Sequence, residues 1–310
     1  MTNRFKALCK LFLRLGISGG LLIWLFSKTD PNQLIEAFLD ISPSAWILAF
    51  CMYLLSQLVS SLRWFCLARG LGFNGGLVTY IGYYFVGMYF NLFLPTSIGG
   101  DVLKVLFLSR GEAKRLRASY SVIMDRLLGL AAMFCLGATA MILYNDLLPN
   151  RFKLILFTSA SVSLVAPIVL PWGYRLINSI WPEIGKRFSP LLDLWKTPKV
   201  LLAGFLLSVL LQALGMGAVA LLASSMDLLP RPAFYFAAFP LVAVLTLLPV
   251  SFNGIGIREG GFVYFMGIKG VPAEKALTLS LSFFAVQVLA SLIGGLAYII
   301  GFHRRQISSG

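Results

Sequence analysis

The stretch NLFLPTSIGGDVLKVLFLSR, residues 91–110, decides how the rest of the chain is interpreted. It places Pro95, Gly100, Asp101 and Lys104 inside an apolar run, where a charge is costly unless it is paired or hydrated. Proline and glycine interrupt a helix, and non-helical backbone at membrane depth is tolerated only where it is buried in protein or lines a wet cavity. The stretch therefore predicts a broken hydrophobic segment with a polar site at the break.

A similar interrupted apolar stretch occurs a second time in the chain. Residues 248–254 (LPVSFNG) match residues 94–100 (LPTSIGG) at four of seven positions, and the same offset aligns Arg258 with Lys104. Interrupted hydrophobic segments at corresponding positions of two halves are the best sequence indication of a transport site. The duplication predicts a carrier.

The composition is that of a polytopic membrane protein, with 58% hydrophobic and 12% charged residues and a mean hydropathy of +0.85. The formal net charge is +14, but the basic residues flank apolar segments, which is typical of membrane topology. We therefore expect no nucleic-acid partner. The four cysteines lack CxxC spacing and the single histidine, His303, lies in the C-terminal tail, so we expect no metal centre and no cofactor.

The basic flanks set the predicted topology. Residues 77–109 have basic segments on both sides and are too short for two full spans, which need about 40 residues. We interpret them as a re-entrant hairpin entering from the cytoplasm, and residues 233–268 as its counterpart entering from outside. The predicted spans are at about residues 15–26, 45–62, 119–143, 154–170, 200–225 and 276–301.

Each half then reads span, span, hairpin, span. Three crossings per half invert the second copy, so we predict an all-α membrane protein of two inverted repeats, residues 1–144 and 145–310, which together form one membrane domain. The excess of basic residues on one side places both termini in the cytoplasm and the protein in the cytoplasmic membrane. An alternative, in which each hairpin is a pair of short complete spans, stays open.

The hairpin tips carry the predicted binding chemistry. Helices that begin at Gly100 and Gly256 would present free N–H groups and the positive end of a helix dipole, which favour a phosphate or carboxylate. Lys104 and Arg258 add positive charge one turn on. The predicted substrate-binding residues are Ser97, Gly99, Gly100, Lys104, Ser251, Asn253, Gly254, Gly256 and Arg258, with helix breaks at Pro95 and Pro249.

Two interpretations fit four further charged residues, Asp101, Asp125, Arg126 and Glu259. They form either a buried ion-pair network that holds the halves together or a proton or cation site that couples transport, since carboxylates in transporters often relay protons. Arg63, at the end of the second predicted span, is interpreted as an interfacial anchor.

At these residues the sequence resembles the lysylphosphatidylglycerol synthase transmembrane-region family, also called flippase-like or UPF0104 proteins. It is similar to the N-terminal flippase portion of multiple-peptide-resistance factors. The resemblance covers essentially the whole chain and rests on three motifs in order: Pro-x-Ser-x-Gly-Gly-Asp (95–101), Asp-Arg followed by Gly-Leu (125–130) and Pro-x-Ser…Gly-x-Gly-x-Arg-Glu (249–259). Lys104 stands where we expect arginine. A lysine ammonium binds phosphate as a point charge, whereas the arginine guanidinium would bind it through two paired donors.

The resemblance implies lipid translocation, although many family members stand alone with unassigned substrates. No aminoacyl-transferase domain follows Gly310, so we expect no synthase activity. The sequence predicts a carrier, not an enzyme, that moves an anionic lipid of phospholipid or polyprenyl-phosphate type by alternating access. The alternatives are a non-transporting accessory subunit of a lipid- or envelope-modifying system and, less favoured, a lipid head-group enzyme. The lipid, the direction, the coupling ion and the oligomeric state stay open.

Overall fold

This computed structural model describes residues 2–94, 99–109, 112–183, 189–228, 230–248 and 250–301, whose regular elements are all helices, with no strand. The predicted all-α fold is confirmed. The α-helices are α1 (Thr2–Ser27), α2 (Pro31–Leu39), α3 (Pro43–Gly70), α4 (Leu77–Phe93), α5 (Gly99–Leu108), α6 (Glu112–Leu143), α7 (Asn150–Ile180), α8 (Pro198–Ser225), α9 (Pro232–Leu247), α10 (Ile257–Gly267) and α11 (Ala273–Ile299), and a short 3₁₀ helix (Ser189–Leu194) precedes α8.

By length and composition, four helices of the described chain can cross a membrane: α3, α6, α8 and α11. The number rises to six when two bent pairs each count as one span. One pair is Leu11–Ser27 with α2, at 91°, and the other is α7 itself, which bends by 57° between Asn150–Pro167 and Val169–Ile180. Proline removes a backbone donor and clashes with the preceding turn, which explains a bend at Pro167. A multi-pass membrane protein is thus confirmed.

The long helices separate a lipid-facing side from a packed side. On α8, Leu202, Leu206 and Leu210 recur every four residues and are about half exposed, whereas Gly204 and Ser208 on the opposite face are buried. Residues four apart lie on one face of a helix. Small residues inside and large apolar residues outside are the arrangement expected where lipid replaces water.

Two short helix pairs occupy the positions of the predicted hairpins. The first pair, α4 and α5, has 17 and 10 residues, and the second pair, α9 and α10, has 16 and 11. At about 1.5 Å per residue the second arms reach only ~15–17 Å, roughly half of a ~30 Å hydrocarbon core. The predicted breaks at Pro95 and Pro249 and the predicted ligand Ser97 lie outside the described residues, as does the tail after residue 301.

The two hairpins pack reciprocally onto the opposite halves of the chain. Helix α4 packs on α11, and α9 packs on α6. Glycines permit the close approach on each side: a Cβ at Gly294 would lie 1.9 Å from the Phe85 carbonyl oxygen, and one at Gly137 would lie 3.2 Å from that of Phe236. Helices α3 and α8 pack along each other. This exchange fits the inverted repeats, which stay a prediction.

Candidate functional site

A cavity of about 280 Å³ lies between the two hairpins. Its walls come from both halves of the chain, α3, α4 and α6 on one side and α9, α10 and α11 on the other. Phenylalanine side chains supply much of the apolar surface, at positions 239, 262, 283 and 284. Apolar walls with a few convergent polar groups are typical of a ligand site. The polar lining residues are Tyr53, Asn91, Arg126, Thr246, Asn253, Arg258, Gln287 and Ser291.

Arg258 is the cation that the second half directs into the cavity. Its Nε donates to Oε1 of Glu259 at 2.9 Å, and its Nη1 lies 3.5 Å from Oε1 of Gln287. The guanidinium carbon lies 4.2 Å from the ring centre of Phe284. A carboxylate and an aromatic face together fix the guanidinium plane, which orients its remaining donors.

Arg126 is the corresponding cation from the first half, although the two residues do not occupy equivalent positions after the tips. Its Nε donates to Oδ2 of Asp101 at 2.8 Å, and its side chain is 49% exposed. Oδ1 of the same Asp101 lies 3.3 Å from Nζ of Lys104. Asp101 is therefore shared between two cations.

Lys104 is buried next to Asp101. It is 3% exposed, and its Nζ lies 3.8 Å from the ring centre of Tyr84, a cation–π contact. In the described part of the chain, the residues that line the cavity include Arg126 but not Lys104. The predicted contact between Lys104 and a phosphate stays a prediction. Arg126 is the cation of the first half that lines the cavity and could contact a ligand there.

The predicted helix-start amides already have protein partners. The N–H of Gly100 donates to Oδ1 of Asn91 at 2.7 Å, and the N–H of Gly256 donates to Oε2 of Glu259 at 2.6 Å. Glycine at position 100 also permits α5 to pack closely on α4, because a Cβ there would lie 2.1 Å from the carbonyl oxygen of Gly87. A Cβ at Gly99 would likewise lie 2.2 Å from the side chain of Leu94. The guanidinium groups are thus the better-placed donors.

The second tip turns through left-handed backbone. Asn253 has φ +49°, and Gly254 and Gly256 have φ +77° and +86°, a region that favours glycine. Asn253 lines the cavity, whereas Ser251 is buried at 4% exposure in the turn. The next amide, that of Phe252, donates to Oγ of Ser18 on α1 at 2.8 Å. The tip is therefore anchored to the first helix and presents Asn253 inward.

The interpretation of Arg63 as an interfacial anchor is wrong. Its Nε donates to Oδ1 of Asp125 at 2.7 Å and its Nη1 donates to Oγ of Ser208 at 2.7 Å, with the two charged side chains only 4% and 2% exposed. The pair ties α3, α6 and α8 together beside the cavity. Sequence reasoning placed Arg63 by its position at the end of an apolar run. The charge of Asp125 inside a predicted span was the signal that a buried cation had to face it.

The family model of the lysylphosphatidylglycerol synthase TM region matches residues 11–295. The chain belongs to this family. The matched range contains every residue that lines the cavity, from Tyr53 to Ser291. A UPF0104 membrane protein of Pyrococcus horikoshii is 28% identical over 130 residues, which cover 40% of this chain and 38% of that protein. The chain thus aligns with well under half of this relative's length. The resemblance to the lysylphosphatidylglycerol synthase TM region family is confirmed.

Proposed function

We propose that this member of the lysylphosphatidylglycerol synthase TM region family is a flippase-like carrier that moves an anionic lipid across the cytoplasmic membrane by alternating access. The observation that carries the proposal is the cavity between the hairpins, into which each half directs one arginine, Arg126 and Arg258. Guanidinium groups recognise phosphate oxygens through paired, charge-assisted hydrogen bonds. Two such groups in one cavity suit a phosphate-bearing head group.

The charges around the cavity support an anionic substrate. Three cations, Arg126, Arg258 and Lys104, face two carboxylates, Asp101 and Glu259, which leaves one positive charge in excess. The neighbouring pair between α3 and α6 cancels to zero. A net charge at membrane depth is unfavourable. A head group with one negative charge removes the excess, whereas a cationic head group adds to it.

The carboxylates make proton or cation coupling part of the proposal. A phosphate that binds Arg258 competes with Glu259, which is 1% exposed. Uptake of a proton by Glu259 would release Arg258 to the ligand, and loss of that proton would return it. Flux measured with and without an imposed pH gradient tests this coupling. A flux insensitive to the gradient would exclude a proton cycle at Glu259.

Reconstitution of the purified protein into liposomes tests the proposed function. Labelled phosphatidylglycerol, phosphatidic acid, polyprenyl phosphate and phosphatidylethanolamine are compared with protein-free vesicles. We expect flux of at least one anionic lipid and none of the zwitterionic lipid. Arg126→Gln and Arg258→Gln should each lower the flux about ten- to hundredfold, since a hydrogen bond to a charged group contributes ~1.5–3 kcal/mol.

Arg151→Gln is the matched control, because Arg151 is exposed and donates to the hydroxyl of Tyr264 outside the cavity. Its flux should equal that of the native protein. A folded, inserted protein that moves none of the four lipids faster than empty vesicles would exclude the carrier for these lipids and favour the accessory subunit.

A further inference from the structure

A second, apolar space adjoins the cavity at Arg126. It is a groove of about 440 Å³ between α5 and α6. Arg126 and its partner Asp101 lie where the groove meets the cavity. Ser119 also lines the groove and lies two turns earlier on α6. The apolar residues that line it are Val102, Val105, Val122, Ile123 and Leu127.

This groove opens toward the lipid-facing surface. Val102 is 52% exposed, and Ile123 and Leu127 are each 48% exposed, so no described element of the chain covers them. From Ser119 to Arg126 the helix rises by about 10 Å at ~1.5 Å per residue. The groove is therefore long enough to hold part of an extended hydrocarbon chain, and the charged groups among its described lining residues, Asp101 and Arg126, lie where it meets the cavity.

We propose that the groove binds one acyl chain of the lipid whose phosphate contacts Arg126 in the cavity. The inference rests on the proposed function and adds the site of the hydrophobic part of the substrate. Arg126 lines both spaces, with a guanidinium for the phosphate on one side and valine and isoleucine side chains on the other. Because the head group and chain of a lipid are covalently joined, a phosphate at Arg126 places the first chain carbons at the opening of the groove.

The arrangement explains how a cavity sized for a head group accepts a whole lipid. The volume of about 280 Å³ between the hairpins holds a head group and leaves the chains outside. An acyl chain that stays against α5 and α6 remains in contact with apolar surface while the head group is bound. The substrate class that follows is a phospholipid with a phosphate near the chain attachment, and chain length contributes to its affinity.

The test compares two probes that share a head group, dioleoyl and dihexanoyl phosphatidylglycerol, in equilibrium binding to the purified full chain. Ile123→Trp fills the groove from a half-exposed position that tolerates bulk. It should weaken binding of the dioleoyl probe about tenfold, as for the loss of about two buried methylene groups, and weaken binding of the dihexanoyl probe less, because its short chains contact less of the groove. Val102→Trp, on the opposite wall, should reproduce this effect. Leu206→Trp, on the lipid-facing side of α8, is the control and should change neither affinity.

A diazirine on the acyl chain gives an independent readout. It should label the groove residues of α5 and α6 more strongly than the lipid-facing side of α8, and excess unlabelled lipid should suppress this labelling. Equal labelling of the three helices, with native dioleoyl affinity in Ile123→Trp and Val102→Trp, would show that the groove meets bulk lipid only and would overturn the inference.

The variant Arg126→Gln distinguishes a failure of the head-group site from a failure of the acyl-chain site. Weaker binding of both probes to Arg126→Gln, with no effect of the groove variants, would retain the head-group site and exclude the acyl-chain site. Native affinity of Arg126→Gln for both probes would contradict the proposed head-group site and, with it, the inference about the chain. Gel filtration and helical circular dichroism establish that each variant is folded.

Discussion

The buried pair between Arg63 and Asp125 should dominate the stability of the bundle beside the cavity. Asp125 is 2% exposed and accepts from Arg63, which also donates to Ser208 at 2.7 Å and to Ser60 at 3.4 Å. Asp125→Leu removes the only carboxylate found next to this guanidinium in the described structure and leaves a buried, uncompensated charge. Breaking such a pair costs about 3–5 kcal/mol. Arg63→Met should cost a similar amount, because it isolates the carboxylate instead.

The double variant Arg63→Met, Asp125→Leu should recover most of this loss. Both serines keep a partner without Arg63, because Ser208 donates to the carbonyl of Gly204 and Ser60 bonds to the hydroxyl of Tyr84. Replacement of a buried ion pair by apolar side chains of similar volume is often neutral or stabilising. Unfolding of the four proteins in detergent gives a double-mutant cycle, and we expect a coupling of about 3 kcal/mol or more. Single variants within ~0.5 kcal/mol of the native protein, or additive losses in the double variant, would refute the reasoning.

Two further predictions concern packing and topology. Gly100→Ala should destabilise the protein by about 1–3 kcal/mol, because its Cβ would lie 2.1 Å from the carbonyl oxygen of Gly87, whereas Gly260→Ala, with open space around it, should be neutral or slightly stabilising. Thermal unfolding in detergent compares them, and equal midpoints would contradict the close crossing of α4 and α5. In the predicted topology, cysteine at Asn150 should react with an impermeant reagent from outside, and cysteine at Arg115 should not. Labelling of position 150 only from the cytoplasm would overturn this topology.

The membrane-length helices could be predicted from the sequence because the bilayer imposes their length and their flanking charges, whereas α2 (Pro31–Leu39) lies between two predicted spans and was not predicted. Residues 77–109 were predicted to form two arms around a break, and the structure has helices at Leu77–Phe93 and Gly99–Leu108. Backbone groups in hydrocarbon must be satisfied within the segment, so an apolar run interrupted by proline and glycine has few alternatives to a broken helix.

The direction of each charged side chain could not be predicted in the same way. The alignment of the tips drew attention to Lys104, yet α5 packs on α4 through Gly87 and Gly100 with Lys104 buried and Arg126 at the cavity. The rotation of a helix about its own axis is set by such contacts with its neighbours, which the spacing of residues along the chain does not contain. The same holds for Arg63, whose partner lies 62 positions away on α6.

Binding of dihexanoyl phosphatidylglycerol to single arginine variants tests most directly whether the two halves jointly hold an anionic head group. Arg126→Gln and Arg258→Gln should each raise the dissociation constant about ten- to hundredfold, while Arg151→Gln should match the native protein. Arg258→Lys should fall between native and Arg258→Gln, since it keeps the charge and loses the paired donors. Native affinity in both glutamine variants would contradict a head-group site between the hairpins and leave these arginines as structural ion-pair partners.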